Sequence, residues 1–255
     1  MNSVLTIILV IISFGLSSQE KVLKPILIEK EAYSGVGLKK VKDKNQPDRD
    51  LAQKMLYRGP DLMVFIVASN TASADIESYS LDEFIYLISG GAVVESDANG
   101  KKSFVAGDYF LAPRGFRGKW STIGAPKYHH ELSVIASRRT DFVGNDLMSF
   151  PEELNKQELS GVSELKGGTA GPQLKSTDLE VFIQSEIPSS REIVEHEHDV
   201  LISILAGTLE VTDIEGESTK FHTGDFLVLP AGFRGKWQTD ALDHFRYVMV
   251  RKVKT

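Results

Sequence analysis

The chain has 255 residues, 42% of them hydrophobic and 25% charged, with a formal net charge of −6 at pH 7. These values describe an ordinary globular protein and exclude disordered and fibrous classes. The mild acidity and the lack of a Lys/Arg stripe leave no footprint for nucleic acid, and the absence of cysteine removes disulfides, thiolate metal sites and cysteine nucleophiles.

At the N-terminus an apolar run extends from Val4 to Ile12 and on past Ser13 to Leu16. It falls short of the roughly 20 apolar residues that span a bilayer, and Gly15-Leu16-Ser17 offers a small-x-small cleavage site. Residues 1–18 therefore read as a secretory signal. An uncleaved anchor is the alternative, because no Lys or Arg precedes the run. The expected location is periplasmic or secreted, with no stable membrane anchor once the signal is cleaved.

A lead-in (residues 19–55) precedes a first β-rich unit (56–137) containing the runs "VFIV", "FIYLIS", "AVVES", "DYFLAP" and "LSVIAS". A linker (138–175) follows, with one helix candidate at Pro151 to Leu159. It has a proline start and acidic residues in its first turn. A second β-rich unit occupies 176–255.

The second unit repeats the first. "GDYFLAPRGFRGKW" (Gly107 to Trp120) returns as "GDFLVLPAGFRGKW" (Gly224 to Trp237), nine of fourteen positions identical, at an offset of 117. At the same offset "DLMVFI" (Asp61 to Ile66) falls on "DLEVFI" (Asp178 to Ile183), Gly90 on Gly207 and Phe104 on Phe221. Two copies of one domain follow from this self-similarity. "DANG" (Asp97 to Gly100) and "IEGE" (Ile214 to Glu217) stand where hairpin turns belong. Short strands at regular spacing indicate an all-β sandwich or small barrel in each copy.

The run "DEFIYLISGGAVVESDANGKKSFVAGDYFLAPRGFRGKW" resembles a cupin, and within the cupins it is most similar to the (S)-ureidoglycine aminohydrolase cupin-domain family. The resemblance covers roughly 61–137 and 178–252. It implies two tandem cupin jelly-roll barrels, a bicupin. It also implies where metal ligands stand in metal-binding relatives: H-x-H-x3-E before the first glycine, and a histidine after P-x-G. Here the first-motif positions hold Glu77, Tyr79 and Glu83 in one copy and Val194, His196 and Val200 in the other. The second-motif histidine is replaced by Gly118 and Gly235. Against the aminohydrolase pattern, E-x-H-x3-H, the first copy keeps only Glu77 and the second only His196.

By strand alternation Glu77, Tyr79 and Glu83 share an inward face. Two carboxylates there could hold a cation or act as an acid–base pair; a hydrogen-bonded structural acid is the plainer alternative for Glu83. In "VEHEHDV", His196 and His198 share a face and form a partial site for one divalent transition metal, with His222 or His244 as candidate third ligand. After the Pro-x-Gly turns, Phe116, Gly118 and Trp120, and Phe233, Gly235 and Trp237, face inward. Gly118 then leaves space beside an aromatic wall suited to a planar or sugar-like molecule, while Arg117 and Lys119 face out. Of His129 and His130, alternation sends one inward and one outward.

Three functions stay open at this stage. The first is an exported bicupin binding a small molecule in one or both barrels. The second is a metal-dependent cupin enzyme, a hydrolase or related, using His196 and His198. The third is a structural bicupin without activity. A small-molecule ligand is the expected partner, and the sequence leaves a homodimer open.

Overall fold

The computed structural model describes residues 22–42, 49–96, 100–124, 128–137, 148–149 and 172–254. The expected signal at 1–18, the linker helix at 151–159 and most of the "DANG" turn lie outside the described residues.

The described residues are all-β apart from one helical turn, Lys30–Tyr33. The lead-in holds β1 (Ile26–Ile28), β2 (Lys39–Val41) and β3 (Leu51–Arg58). The first barrel comprises β4 (Leu62–Asn70), β5 (Ala72–Ile76), β6 (Glu83–Ser89), β7 (Gly91–Ser96), β8 (Gly100–Val105), β9 (Tyr109–Ala112), β10 (Gly118–Ile123) and β11 (Tyr128–Ala136). After β12 (Met148–Ser149) and β13 (Leu174–Lys175) the second barrel repeats the series. It comprises β14 (Leu179–Glu186), β15 (Ser190–Ile193), β16 (Val200–Ala206), β17 (Thr208–Asp213), β18 (Ser218–His222), β19 (Phe226–Leu229), β20 (Gly235–Asp240) and β21 (Phe245–Lys252).

The 117-residue offset holds strand for strand from β4 to β10. It becomes 116 in the last strand, where Glu131 pairs with Leu87 as Tyr247 pairs with Ile204. Each barrel is a larger sheet, β9-β6-β11-β4 or β19-β16-β21-β14, facing a smaller one, β5-β10-β7-β8 or β15-β20-β17-β18. These are two tandem jelly-roll barrels, as the repeat predicts.

The larger sheets are apolar on both faces, so their strands read as continuous hydrophobic runs. In β6, Ile85 and Leu87 face the barrel interior, whereas Phe84, Tyr86 and Ile88 join a core that lies between the barrels. Leu62, Val64 and Ile66 of the first barrel and Leu179, Val181 and Ile183 of the second build that shared core. The lead-in and linker strands cross over. β1 edges the second barrel through β19, while β12 edges the first through β9. Each exchange covers an edge that would otherwise stand open.

A reciprocal pair of aspartates fastens the barrels. Buried Asp199 of the second barrel accepts the backbone N–H groups of Asp61 (2.8 Å), Leu62 (3.1 Å) and Ala231 (2.9 Å), and the Tyr57 hydroxyl (2.6 Å). Its repeat counterpart Asp82 accepts Asp178 N–H (2.7 Å) and Arg114 N–H (2.6 Å). Asp61 and Asp178 are themselves repeat mates, so each barrel's loop acid caps the first strand of the other. Gly59 sits against this latch: a Cβ there would meet the Asp199 carboxylate at 2.1 Å.

Candidate functional site

The doubled phrase forms the turn that its Pro and Gly predict. Phe116 N–H donates to the Pro113 carbonyl and Phe233 N–H to that of Pro230, each at 3.1 Å, with Gly115 and Gly232 at φ +84° and +83°. A second clamp holds the residue four before β6 or β16. Tyr79 N–H donates to Phe116 O and Gly115 N–H to Tyr79 O; His196, Phe233 and Gly232 repeat that pair. Tyr79 and His196 are therefore fixed at equivalent places by equivalent backbone bonds.

In the first barrel this frame encloses a cavity of about 160 Å³. That is close to the roughly 150 Å³ that accommodates benzene. Tyr79, Glu83 and Glu131 supply its polar wall, Trp120 its aromatic wall, and Ala74 and Ile76 part of its small apolar wall; Arg49 enters from the lead-in. Trp120 packs at 5.5 Å from the Tyr79 ring and edge-on to Phe116 at 6.3 Å.

Two carboxylates share this interior, each held differently. Glu83 accepts hydrogen bonds from the Tyr79 and Ser133 hydroxyls, one on each oxygen. Burial, and then the nearby Glu131 charge, raise its pKa to about 7. Burial and the Glu83 charge likewise hold the Tyr79 phenol well above its ordinary value, so it stays a donor. Glu131 lies two residues from Ser133 on the same face of β11, about 7 Å along the strand. Its Oε2 is 2.6 Å from Nε2 of His129, a fully buried ring. Nδ1 of His129 has no hydrogen-bond partner among the described residues. An unprotonated Nδ1 leaves no orphaned donor, so the ring's proton belongs on Nε2, donated to Glu131.

The second barrel carries the same frame with the space filled. Val200 replaces Glu83, Tyr247 replaces Glu131, Arg191 replaces Ala74 and Glu186 replaces Ser69. Arg191 lies over the Trp237 ring at 4.8 Å and bonds Glu186 at 2.9 Å; the Trp237 indole N–H donates to Glu186 at 3.1 Å. Tyr247 packs against Trp237 and Phe245. The strand registers place Arg191 opposite Trp237 as Ala74 is opposite Trp120. The difference is one of filling, not of fold.

Several sequence expectations change here. Glu77 does not share the inward face: β5 ends at Ile76, and Glu77 is exposed beside Arg117 and Lys119. Tyr79, Glu83 and Trp120 do line the cavity, while Phe116 and Phe233 are wholly buried core and Trp237 is 3% exposed. Gly118 does not leave room for a side chain. A Cβ there would lie 1.9 Å from the Glu95 carbonyl oxygen, and at Gly235 2.0 Å from that of Thr212. Both glycines also have a φ, +143° and +154°, that side-chain-bearing residues rarely adopt.

His196 and His198 do not lie on a strand, so alternation does not apply to them; they sit in the loop before β16. His196 Nδ1–H donates to the His198 carbonyl at 2.7 Å, and burial lowers the ring's pKa. His198 turns the other way, its Nδ1 3.3 Å from Asp61 at the barrel junction. His244 stands at the far end of the sheet, about 20 Å along β16, and His222 is exposed on β18. Among the described residues no group of three or more His, Asp or Glu side chains is placed to hold a metal ion. The residues present do not fit the metal of metal-binding cupins.

Glu131, Arg49 and Ala74 were not singled out from sequence. Glu131 had a signal, an acid two residues from His129 and so on the same face of its strand. Arg49 had none, because it lies in the lead-in, outside the repeated phrases.

The paired barrels, their shared register and the repeated turn define two tandem cupin barrels. The EutQ-like cupin domain matches residues 63–125 and 185–246. No curated protein matches the chain. Among solved structures it is similar to a DUF861-family protein of unknown function from Pseudomonas syringae pv. tomato, at 14% identity and TM-score 0.64, covering 90% of this chain and 99% of that one. It is similar also to salicylate 1,2-dioxygenase from Pseudoaminobacter salicylatoxidans, in adducts with gentisate, at 12% identity and TM-score 0.61, covering 92% and 83%. Ylba from E. coli, another DUF861 protein, matches at 14% identity and TM-score 0.54, covering 91% and 92%. At these identities the likeness is one of fold.

Proposed function

We propose that this protein is an exported ligand-binding bicupin whose first barrel holds a small, monocyclic polar molecule and whose second barrel is the scaffold that closes and supports it. The observation that carries the proposal is the paired contrast of interiors. At matched positions the first barrel keeps Ala74 and Glu131 around an open cavity, and the second places Arg191 and Tyr247 there, with Arg191 held by Glu186. A purely structural bicupin has no use for two acids lining a void, since desolvating them is costly even with their hydrogen bonds made. The apolar run at residues 4–12 supports export.

The ligand's size follows from the cavity, its flat shape from Trp120, and its polar edge from Glu83, Glu131 and Tyr79. Calorimetric titration with benzamide, benzamidine and benzoate, one ring bearing three charges, tests this. One of the three binds 1:1, Ala74→Arg weakens it at least 100-fold by importing the second barrel's own plug, and Arg191→Ala leaves it unchanged. Binding of none, or binding indifferent to Ala74→Arg, overturns the proposal.

A further inference from the structure

The first-barrel cavity holds two acids in unlike settings, and ligand binding alone does not require that. Glu131 is oriented by a buried imidazole that donates to it, and its side chain also lines the cavity. Glu83 is clasped by two hydroxyls, one of which, Tyr79, also lines the cavity. A base and a hydroxyl donor backed by an acid thus converge on one small space of about 160 Å³. The second barrel has Val200, Tyr247 and Phe245 at the places of Glu83, Glu131 and His129, so the whole set is absent there.

The geometry points to a metal-independent proton-transfer activity in the first barrel: Glu131 is the base, Tyr79 the acid, and the substrate a small carbonyl or imine compound that is isomerised. The Glu131 carboxylate removes a proton from the carbon beside the carbonyl. The C–H electron pair becomes the C=C bond of an enol, and the carbonyl π pair moves to oxygen, which takes the Tyr79 proton. Glu83, which enters the cycle as the neutral acid, gives its proton to Tyr79 and becomes the carboxylate. With a hydroxyl on that carbon the intermediate is an enediol, which collapses when Glu131 returns the proton to the former carbonyl carbon while the hydroxyl proton of the neighbouring carbon passes through Tyr79 to Glu83. Nothing is oxidised or reduced, and every protein group ends as it began. Glu131 and Tyr79 are the catalytic residues; His129 is a positioning residue.

This activity rests on the first-barrel binding reading, and the test separates the two. Cyclohexanone is incubated with the protein in D2O, its α-deuteration followed by proton NMR and its binding by quenching of Trp120 fluorescence in a Trp237→Phe background. The expected result is quenching together with deuterium uptake about 10²–10⁴-fold above buffer, lost in Glu131→Gln and kept in Glu77→Gln, which alters an exposed residue. His129→Phe, which installs the second barrel's residue, lowers the exchange rate at least tenfold with affinity within twofold; His129→Gln, which retains an N–H donor, restores part of the rate. Quenching without exchange above buffer overturns the proton-transfer role and leaves binding intact. Absence of quenching overturns both.

Discussion

Replacing Asp199 by alanine is the sharpest test of how the barrels are joined. Its carboxylate is fully buried and accepts four hydrogen bonds, at 2.6, 2.8, 2.9 and 3.1 Å, three of them from the other barrel and its lead-in. A hydrogen bond to a charged acceptor contributes about 1.5–3 kcal/mol, and such contributions do not add fully within a network. Water entering the vacated site recovers part of the loss. The net cost is about 3–5 kcal/mol, the range for breaking a buried charged network. For a protein of this size each kcal/mol moves Tm by about 2–4 °C, so Asp199→Ala lowers it by roughly 6–20 °C. Because the broken bonds cross the junction, the calorimetric transition also splits as the barrels uncouple. Glu195→Ala, which removes only an exposed pairing with Arg234, serves as control and shifts Tm by under about 2 °C. A shift in Asp199→Ala no larger than in the control refutes the latch.

Two further outcomes follow from the first barrel. Glu83 has a folded pKa near 7, against an ordinary 4.5, so between these values the native state binds more protons than the unfolded chain. Its contribution is therefore present at low pH and declines as pH rises from about 4.5 through 7, by an amount on the order of 3 kcal/mol. Glu83→Gln, an isostere of the protonated acid, removes that slope in denaturant unfolding measured at pH 5 and pH 8; an unchanged slope contradicts the assignment. Gly118→Ala forces a Cβ onto the Glu95 carbonyl at a φ of +143°. It costs at least about 2 kcal/mol by chemical denaturation, and a neutral substitution would show that the β7–β10 contact is looser than described.

Much of the fold was legible because it was written twice. Self-similarity at 117 residues fixed the two barrels, and the Pro-x-Gly phrase located the turn that closes each. The one-residue shift in the last strand was hidden, since β11 and β21 share little sequence. The barrel crossover was hidden too, because β1 and β12 are two or three residues long and carry no pattern that names their partner. The site was only half visible. Tyr79, Glu83 and Trp120 lie at motif positions and could be counted from Gly90. Glu77 and the histidines misled, because alternation was carried past the ends of β5 and β16 into loops, where it fails. The space assigned to Gly118 failed for a different reason: a glycine can mark an approaching backbone as well as an empty pocket, and periodicity does not distinguish the two. What decides the difference between the barrels, Ala74 against Arg191 and Glu131 against Tyr247, is side-chain volume across strands, and that needs the register.

The central claim is that the first barrel binds and the second does not. The protein has two tryptophans, Trp120 in one barrel and Trp237 in the other. Fluorescence of the Trp237→Phe and Trp120→Phe proteins, titrated with whichever of the three benzene derivatives binds the wild type, therefore reports each barrel separately. The account predicts a saturable change from Trp120 and none from Trp237. A saturable change from Trp237 with Trp120 silent would place the ligand in the second barrel and contradict it.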